Sequence, residues 1–152
     1  MEIEKKYLLS ELPKIRMNSE DTIKQGYIFT SNGEMRVRQK GNRFFLTVKS
    51  DGNLTRQEWE EEIPAWVFET LWLQTEGRRV EKTRFSISFN TTVLEFDEYY
   101  GELEGLFTLE CEFANEQAAG QFTLPEWVEN AVDITANKAY KNKNLAVVGL
   151  PS

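Results

Sequence analysis

The 152-residue chain contains no histidine, and that absence excludes more chemistry than any single residue present suggests. Ser-His-Asp and Cys-His catalysis, His-ligated zinc and phosphohistidine intermediates all fall together. A single cysteine, Cys111, cannot form an internal disulfide, which suits a reducing compartment or indifference to redox. No run approaches the roughly 20 apolar residues of a membrane helix. The N-terminus also lacks the basic start and apolar block of a secretory signal. Neither G-x-x-x-x-G-K-[ST] nor G-x-G-x-x-G occurs. These absences predict a soluble, cytoplasmic protein with no membrane partner. Its chemistry falls to carboxylates, Lys, Arg, Tyr or a hard metal ion. The formal charge of -7 speaks against nucleic acid as a partner. A concave site can still carry a local field of the opposite sign.

What is present suffices for one domain over residues 1–152. Hydrophobic residues make up 40% of the chain, with ten Phe, five Tyr and four Trp. No linker, repeat or low-complexity segment interrupts it. Alternating character predicts strands over 1–9, 23–30, 34–40, 43–50, 54–63, 80–89, 92–100 and 105–114. Ser31-Asn32-Gly33, Gly41-Asn42 and Asp51-Gly52-Asn53 punctuate hairpins, so neighbouring strands are expected to be antiparallel. Ser10 to Pro13 is expected to open a short helix. Another starts at Pro64, with Val67, Phe68, Leu71 and Trp72 on one face and Gly77 past its end. Asn115 is expected to cap a third over 116–121, and Thr135 a last one running through Tyr140 to Leu145. The fold class is α+β, mainly β. The even strand count permits a closed eight-stranded antiparallel β-barrel, a tunnel with flanking helices.

Strand parity sorts the charges. Residues i and i+2 share a face, roughly 6.5–7 Å apart. One face then carries Glu2, Glu4 and Lys6; Arg36 and Arg38; Thr47 and Lys49; Arg56, Glu58 and Glu60; Lys82 and Arg84; Glu95 and Asp97; and Glu110 and Glu112. The other face carries Val37, Leu46, Val48, Trp59, Phe85, Ile87, Phe89, Leu94, Phe96, Leu109, Cys111 and Phe113, expected to pack on the helices. An antiparallel sheet with one solvated face is common. Like-charged neighbours on one face, however, are destabilising unless an opposite charge answers them. Paired carboxylates suit oxygen-seeking cations such as Mg²⁺ or Mn²⁺, and paired Arg and Lys suit phosphate oxygens. With the strands closed, the charged face lines a wet channel for a polyanion, since burying so many charges dry is prohibitive.

Glu2-Ile3-Glu4-Lys5-Lys6 resembles the E-x-E-x-K signature of the CYTH superfamily, the triphosphate tunnel metalloenzymes. The resemblance continues through Gln25-Gly26-Tyr27, Met35-Arg36-Val37-Arg38, Leu46-Thr47-Val48-Lys49 and Arg56-Gln57-Glu58-Trp59-Glu60. It then runs through Lys82-Thr83-Arg84, Leu94-Glu95-Phe96-Asp97, Glu110-Cys111-Glu112-Phe113 and Tyr140-Lys141-Asn142. It implies a tunnel that binds a triphosphate-containing small molecule with Mg²⁺ or Mn²⁺. Glu2, Glu4, Glu110 and Glu112 are then the metal ligands. Lys6, Arg36, Arg38, Lys49, Arg56, Lys82 and Arg84 clamp phosphates, and Glu58, Glu60, Glu95 and Asp97 support them. Glu4 and Lys6 take the catalytic roles, Glu4 through metal-bound water and Lys6 by hydrogen bonding or proton transfer. Lys138 and Lys141 are expected on the solvated face of the C-terminal helix. Among activities in the family, inorganic triphosphatase comes first. A class IV-type adenylate cyclase, a thiamine or nucleoside triphosphatase and a non-catalytic polyphosphate or nucleotide sensor stay open. So does the choice between monomer and homodimer.

Overall fold

In a computed structural model, residues 3–51 and 57–152 are described, and they form one large antiparallel sheet flanked by helices. The strands are β1 (Ile3–Leu9), β2 (Ser19–Thr30), β3 (Gly33–Lys40), β4 (Arg43–Ser50), β5 (Glu58–Glu62), β6 (Arg79–Phe89), β7 (Thr92–Tyr99), β8 (Phe107–Phe113) and β9 (Val132–Asp133). Their order is β5-β4-β3-β2-β6-β7-β8-β1-β9. Every expected strand is present. Two-residue turns join β2 to β3 and β3 to β4, with Gly33 and Gly41 at positive φ where the hairpins need it.

Two points differ from the pattern read in the sequence. β2 begins at Ser19 because Ser19 to Thr22 pair with Thr83 to Ser86, a ladder their polar composition does not advertise. The two-residue β9, on a stretch expected to be irregular or helical, pairs with Tyr7 and Leu8 as the ninth strand. Among the described residues the ladder ends at β5 and at β9, so the barrel-like wall has a seam.

The helices are α1 (Ala65–Trp72), α2 (Glu116–Gln121) and α3 (Asn142–Val148). Asn115 caps α2 through its side chain, accepting from the Ala118 amide at 2.8 Å, as expected. Residues 10–13 form no helix. Leu12 turns instead toward the core, and a first turn containing Pro13 has too few intrahelical bonds to compete. The last helix starts at Asn142, not at Thr135, after a 3₁₀ turn over Lys138–Tyr140. None of the helices of the described residues is long and apolar enough to cross a membrane.

The apolar face of the sheet looks outward. Tyr7, Leu9, Leu94, Phe96, Leu109, Cys111 and Phe113 are buried together under α2 and the 122–131 segment. A second cluster, on the face that carries Lys82 and Asp97, joins Tyr27, Val80, Tyr99, Leu103 and Leu106 to Leu145 and Ala146 of α3. Along α1, Phe68 packs on Phe44 and Trp72. Gly26 of β2 lies so close to Thr75 that an added Cβ would sit 2.6 Å from its side chain, which docks the end of this helical segment tightly. Val48 and Trp59, expected to pack on helices, are 36% and 48% exposed. They are register partners on the outer face, Trp59 on β5 where the ladder ends among the described residues and Val48 beside it on β4.

Candidate functional site

The inward face encloses a cavity of about 490 Å³, within the range of small-molecule sites. Its walls take Glu4 and Lys6 from β1, Gln25 and Tyr27 from β2, Glu34, Arg36 and Arg38 from β3, and Thr47 and Lys49 from β4. Lys82 and Arg84 come from β6, and Glu110 and Glu112 from β8. Ile23 of β2 and the segment running from Ile134 to Lys143 supply the rest. Eight Lys and Arg side chains face four Glu, so a chain of charge -7 surrounds a cavity with a cationic excess. Of the residues singled out in the sequence, Glu2 and Arg56 lie outside the described residues.

The four carboxylates read as supporting do not line the cavity; each grips a basic residue that does. Asp97, fully buried, accepts from Lys82 Nζ at 2.8 Å and from Arg84 Nε and Nη2 at 2.8 and 2.9 Å. Burial alone would raise the Asp97 carboxyl, but Lys82 and Arg84 outweigh it and hold the group down at about 2. Glu95 and Glu110 also engage Arg84, each at 3.3 Å. Burial disfavours the Arg84 cation, yet these carboxylates hold its proton more firmly than usual. This side of the cavity is locked.

The β3–β4 wall is looser. Arg36 reaches Glu60 at 3.4 Å and Thr47 at 3.3 Å, while Thr47 donates to Glu60 at 2.6 Å. Lys49 lies 3.8 Å from Glu58. Arg38 has no carboxylate within ion-pair distance among the described residues, and its Nε is buried without a partner. Its guanidinium instead lies over the Phe45 ring at 5.8 Å. Burial, then the neighbouring Arg36 cation, makes the Arg38 charge harder to hold. A half-buried guanidinium with no carboxylate in ion-pair contact among the described residues is costly to fold and suits an anion.

The opposite side is acidic. Glu4 on β1 is the register partner of Glu112 on β8, and Glu110 lies one inward step away opposite Lys6. Burial first, then repulsion from Glu110, pushes the Glu4 carboxyl up. Lys6 Nζ donates to the Tyr140 carbonyl at 2.6 Å and lies 3.5 Å from Glu110. Among the described residues no three of these carboxylates are drawn together into a ready ion cage, since Glu110 turns to Lys6 and Arg84. The donor set nevertheless fits a hard divalent cation: it is all oxygen, crowded with like charge, and includes a carboxyl destabilised by its own neighbours.

Parity on β2 and β3 contains the signal for Gln25 and Glu34, which share faces with Tyr27 and Arg36. Nothing periodic marks Thr135, Asn137, Lys141 and Lys143. Thr135 accepts from the Lys6 amide at 3.0 Å and so ties the C-terminal segment to β1 in place of capping a helix. Lys143 reaches Glu34 at 3.6 Å. Lys141 lines the cavity mouth, and not only a solvated face as expected, whereas Lys138 is exposed away from it.

The CYTH domain family profile matches residues 1–147. An inorganic triphosphatase of Nitrosomonas europaea is 42% identical over 96% of this chain and 97% of its own length. An inorganic triphosphatase of Acetivibrio thermocellus is 35% identical over 95% of this chain and 92% of its own. A crystal structure described as an inorganic triphosphatase superposes with a TM-score of 0.80 at 39% identity, covering 100% of this chain and 97% of the other.

Proposed function

The chain belongs to the CYTH domain family, and from that premise we propose that it hydrolyses inorganic tripolyphosphate to pyrophosphate and phosphate with a divalent cation. The observation that carries the reading is the division of the cavity: loosely held cations on β3 and β4, and repelling carboxylates on β1 and β8. The first suits phosphate oxygens, the second a hard metal ion. Only Tyr27 and Tyr140 among the described lining residues are aromatic, which gives a nucleobase or thiazole little to stack on and favours an unsubstituted substrate.

Arg36, Arg38 and Lys49 neutralise phosphate charge from one side, with Lys82, Arg84 and Arg56 completing the clamp. Glu58, Glu60, Glu95 and Asp97 hold these cations in orientation. Glu2, Glu4, Glu110 and Glu112 hold the cation, Mg²⁺ or Mn²⁺, which supplies Lewis-acid polarisation of the phosphate oxygens when bound. A water oxygen bonds to the terminal phosphorus as the anhydride P–O bond breaks, and the electron pair leaves on the pyrophosphate oxygen. Glu4 orients that water, and Lys6, fixed between Tyr140 and Glu110, donates a hydrogen bond or a proton at the cavity wall. The protein acts in the cytoplasm on a small molecule.

The test is phosphate release from tripolyphosphate, ATP and thiamine triphosphate, each with Mg²⁺ and with Mn²⁺. Turnover is expected to be fastest on tripolyphosphate and absent without metal. Tight binding without turnover would replace this reading with a sensor, and cyclic nucleotide formed from ATP would replace it with a cyclase.

A further inference from the structure

The inward residues of β3 run Arg38, Arg36, Glu34, so a carboxylate interrupts a line of phosphate-binding cations. Glu34 is only 9% exposed, and the chain has put it there at a cost to anion affinity. Its register partner on β4 is Lys49, and Lys143 of α3 approaches Glu34 Oε1 at 3.6 Å. Successive inward residues of a strand lie roughly 6.5–7 Å apart. A polyphosphate laid along Arg38 and Arg36 therefore meets the Glu34 carboxylate one step further on. The carboxylate also occupies Lys143, a cation that would otherwise extend the track.

We infer that Glu34, paired with Lys143, is a specificity-determining end-stop that limits the cavity to a short phosphate chain. The inference rests on the triphosphatase reading of the site. On this inference a three-phosphate chain held at Arg38 and Arg36 ends at Glu34. A longer one places anionic oxygens against the carboxylate, and a like-charge contact of that kind is a device for rejecting the wrong ligand.

The experiment compares the full chain with Glu34→Gln and Lys143→Met. Affinities for tripolyphosphate and linear pentapolyphosphate are measured by calorimetry without added metal, and kcat/KM for each with Mg²⁺. The unaltered protein is expected to prefer the shorter chain. Glu34→Gln removes the repulsion and frees Lys143, so the preference narrows by about tenfold, the scale of a single specificity contact. Lys143→Met withdraws a cation that offsets the carboxylate, so the preference widens. A purely structural ion pair moves both variants the same way, and that result, or no change in either ratio, overturns the inference. If Glu34→Gln fails to fold by circular dichroism, Lys143→Met decides alone: an unchanged or narrowed preference sinks the end-stop. The affinity ratios are read even when no phosphate is released, so failure of the hydrolytic reading remains distinguishable from failure of this one.

Discussion

Lys82 Nζ and Asp97 Oδ2 meet at 2.8 Å with side-chain exposures of 2% and 0%, on neighbouring strands β6 and β7. Removing one partner of a buried pair leaves the other charge stranded, at a cost of about 3–5 kcal/mol. Asp97→Asn is therefore expected to lower stability by that amount in urea unfolding. The pH dependence has a definite sign. The Asp97 carboxyl is held at about 2 against an ordinary 3.8, so its contribution is full above the ordinary value and is lost as pH falls toward the held one. The melting temperature should drop more steeply below pH 4 in the unaltered protein than in Asp97→Asn.

Arg38 presents the reverse case. With no carboxylate partner among the described residues, its guanidinium costs folding, and the proposed reading gives it a binding role. Arg38→Ala is expected to weaken tripolyphosphate by about 1.5–3 kcal/mol, the worth of charge-assisted hydrogen bonds. The melting temperature should hold or rise. Calorimetric titration and a thermal scan check both, and a large loss of stability would contradict the assignment.

Glu4 sits among carboxylates that push its proton affinity up, after burial has already done so. A carboxyl raised in the folded state is a burden when ionised, and that burden lifts as pH falls through the raised value. Glu4→Gln is expected to raise the melting temperature without metal, to abolish the additional rise on adding Mg²⁺ or Mn²⁺, and to stop turnover. Near-normal turnover in the variant would remove Glu4 from the reaction.

Cys111 lies on the outer face of β8, 1% exposed, and burial first, then Glu110 and Glu95, pushes its thiol up to about 12. Reactivity needs thiolate and access. A chromogenic disulfide reagent should leave the native protein unmodified and titrate one thiol per chain in denaturant; rapid native labelling would show that the sheet opens locally.

Much of this arrangement is legible in the residues because period-two alternation assigns each strand residue a face without knowledge of strand order. Arg36, Arg38, Lys82, Arg84, Glu110 and Glu112 reach one cavity for that reason. Ladder ends are less legible: β9 exists only because Val132 and Asp133 find β1, and its two residues carry no pattern of their own. Lys141 and Lys143 enter the site from the start of α3, whose position is set by Leu145 packing in the cluster of Tyr27 and Tyr99. Trp59 reads as core by parity and is half exposed, because parity assigns a side of the sheet and not what covers it.

At β5, where the strand ladder ends among the described residues, the tunnel wall works like a clasp. β5 is hydrogen-bonded to β4 on one edge, and its other edge has no strand among the described residues. A clasp can alter its girth by hinging one jaw without breaking a rung. Glu58 and Glu60, which steady Lys49 and Arg36, ride on that jaw. Filling the cavity with a polyanion should draw the jaw inward, and amide exchange along β5 is where that tightening would register first.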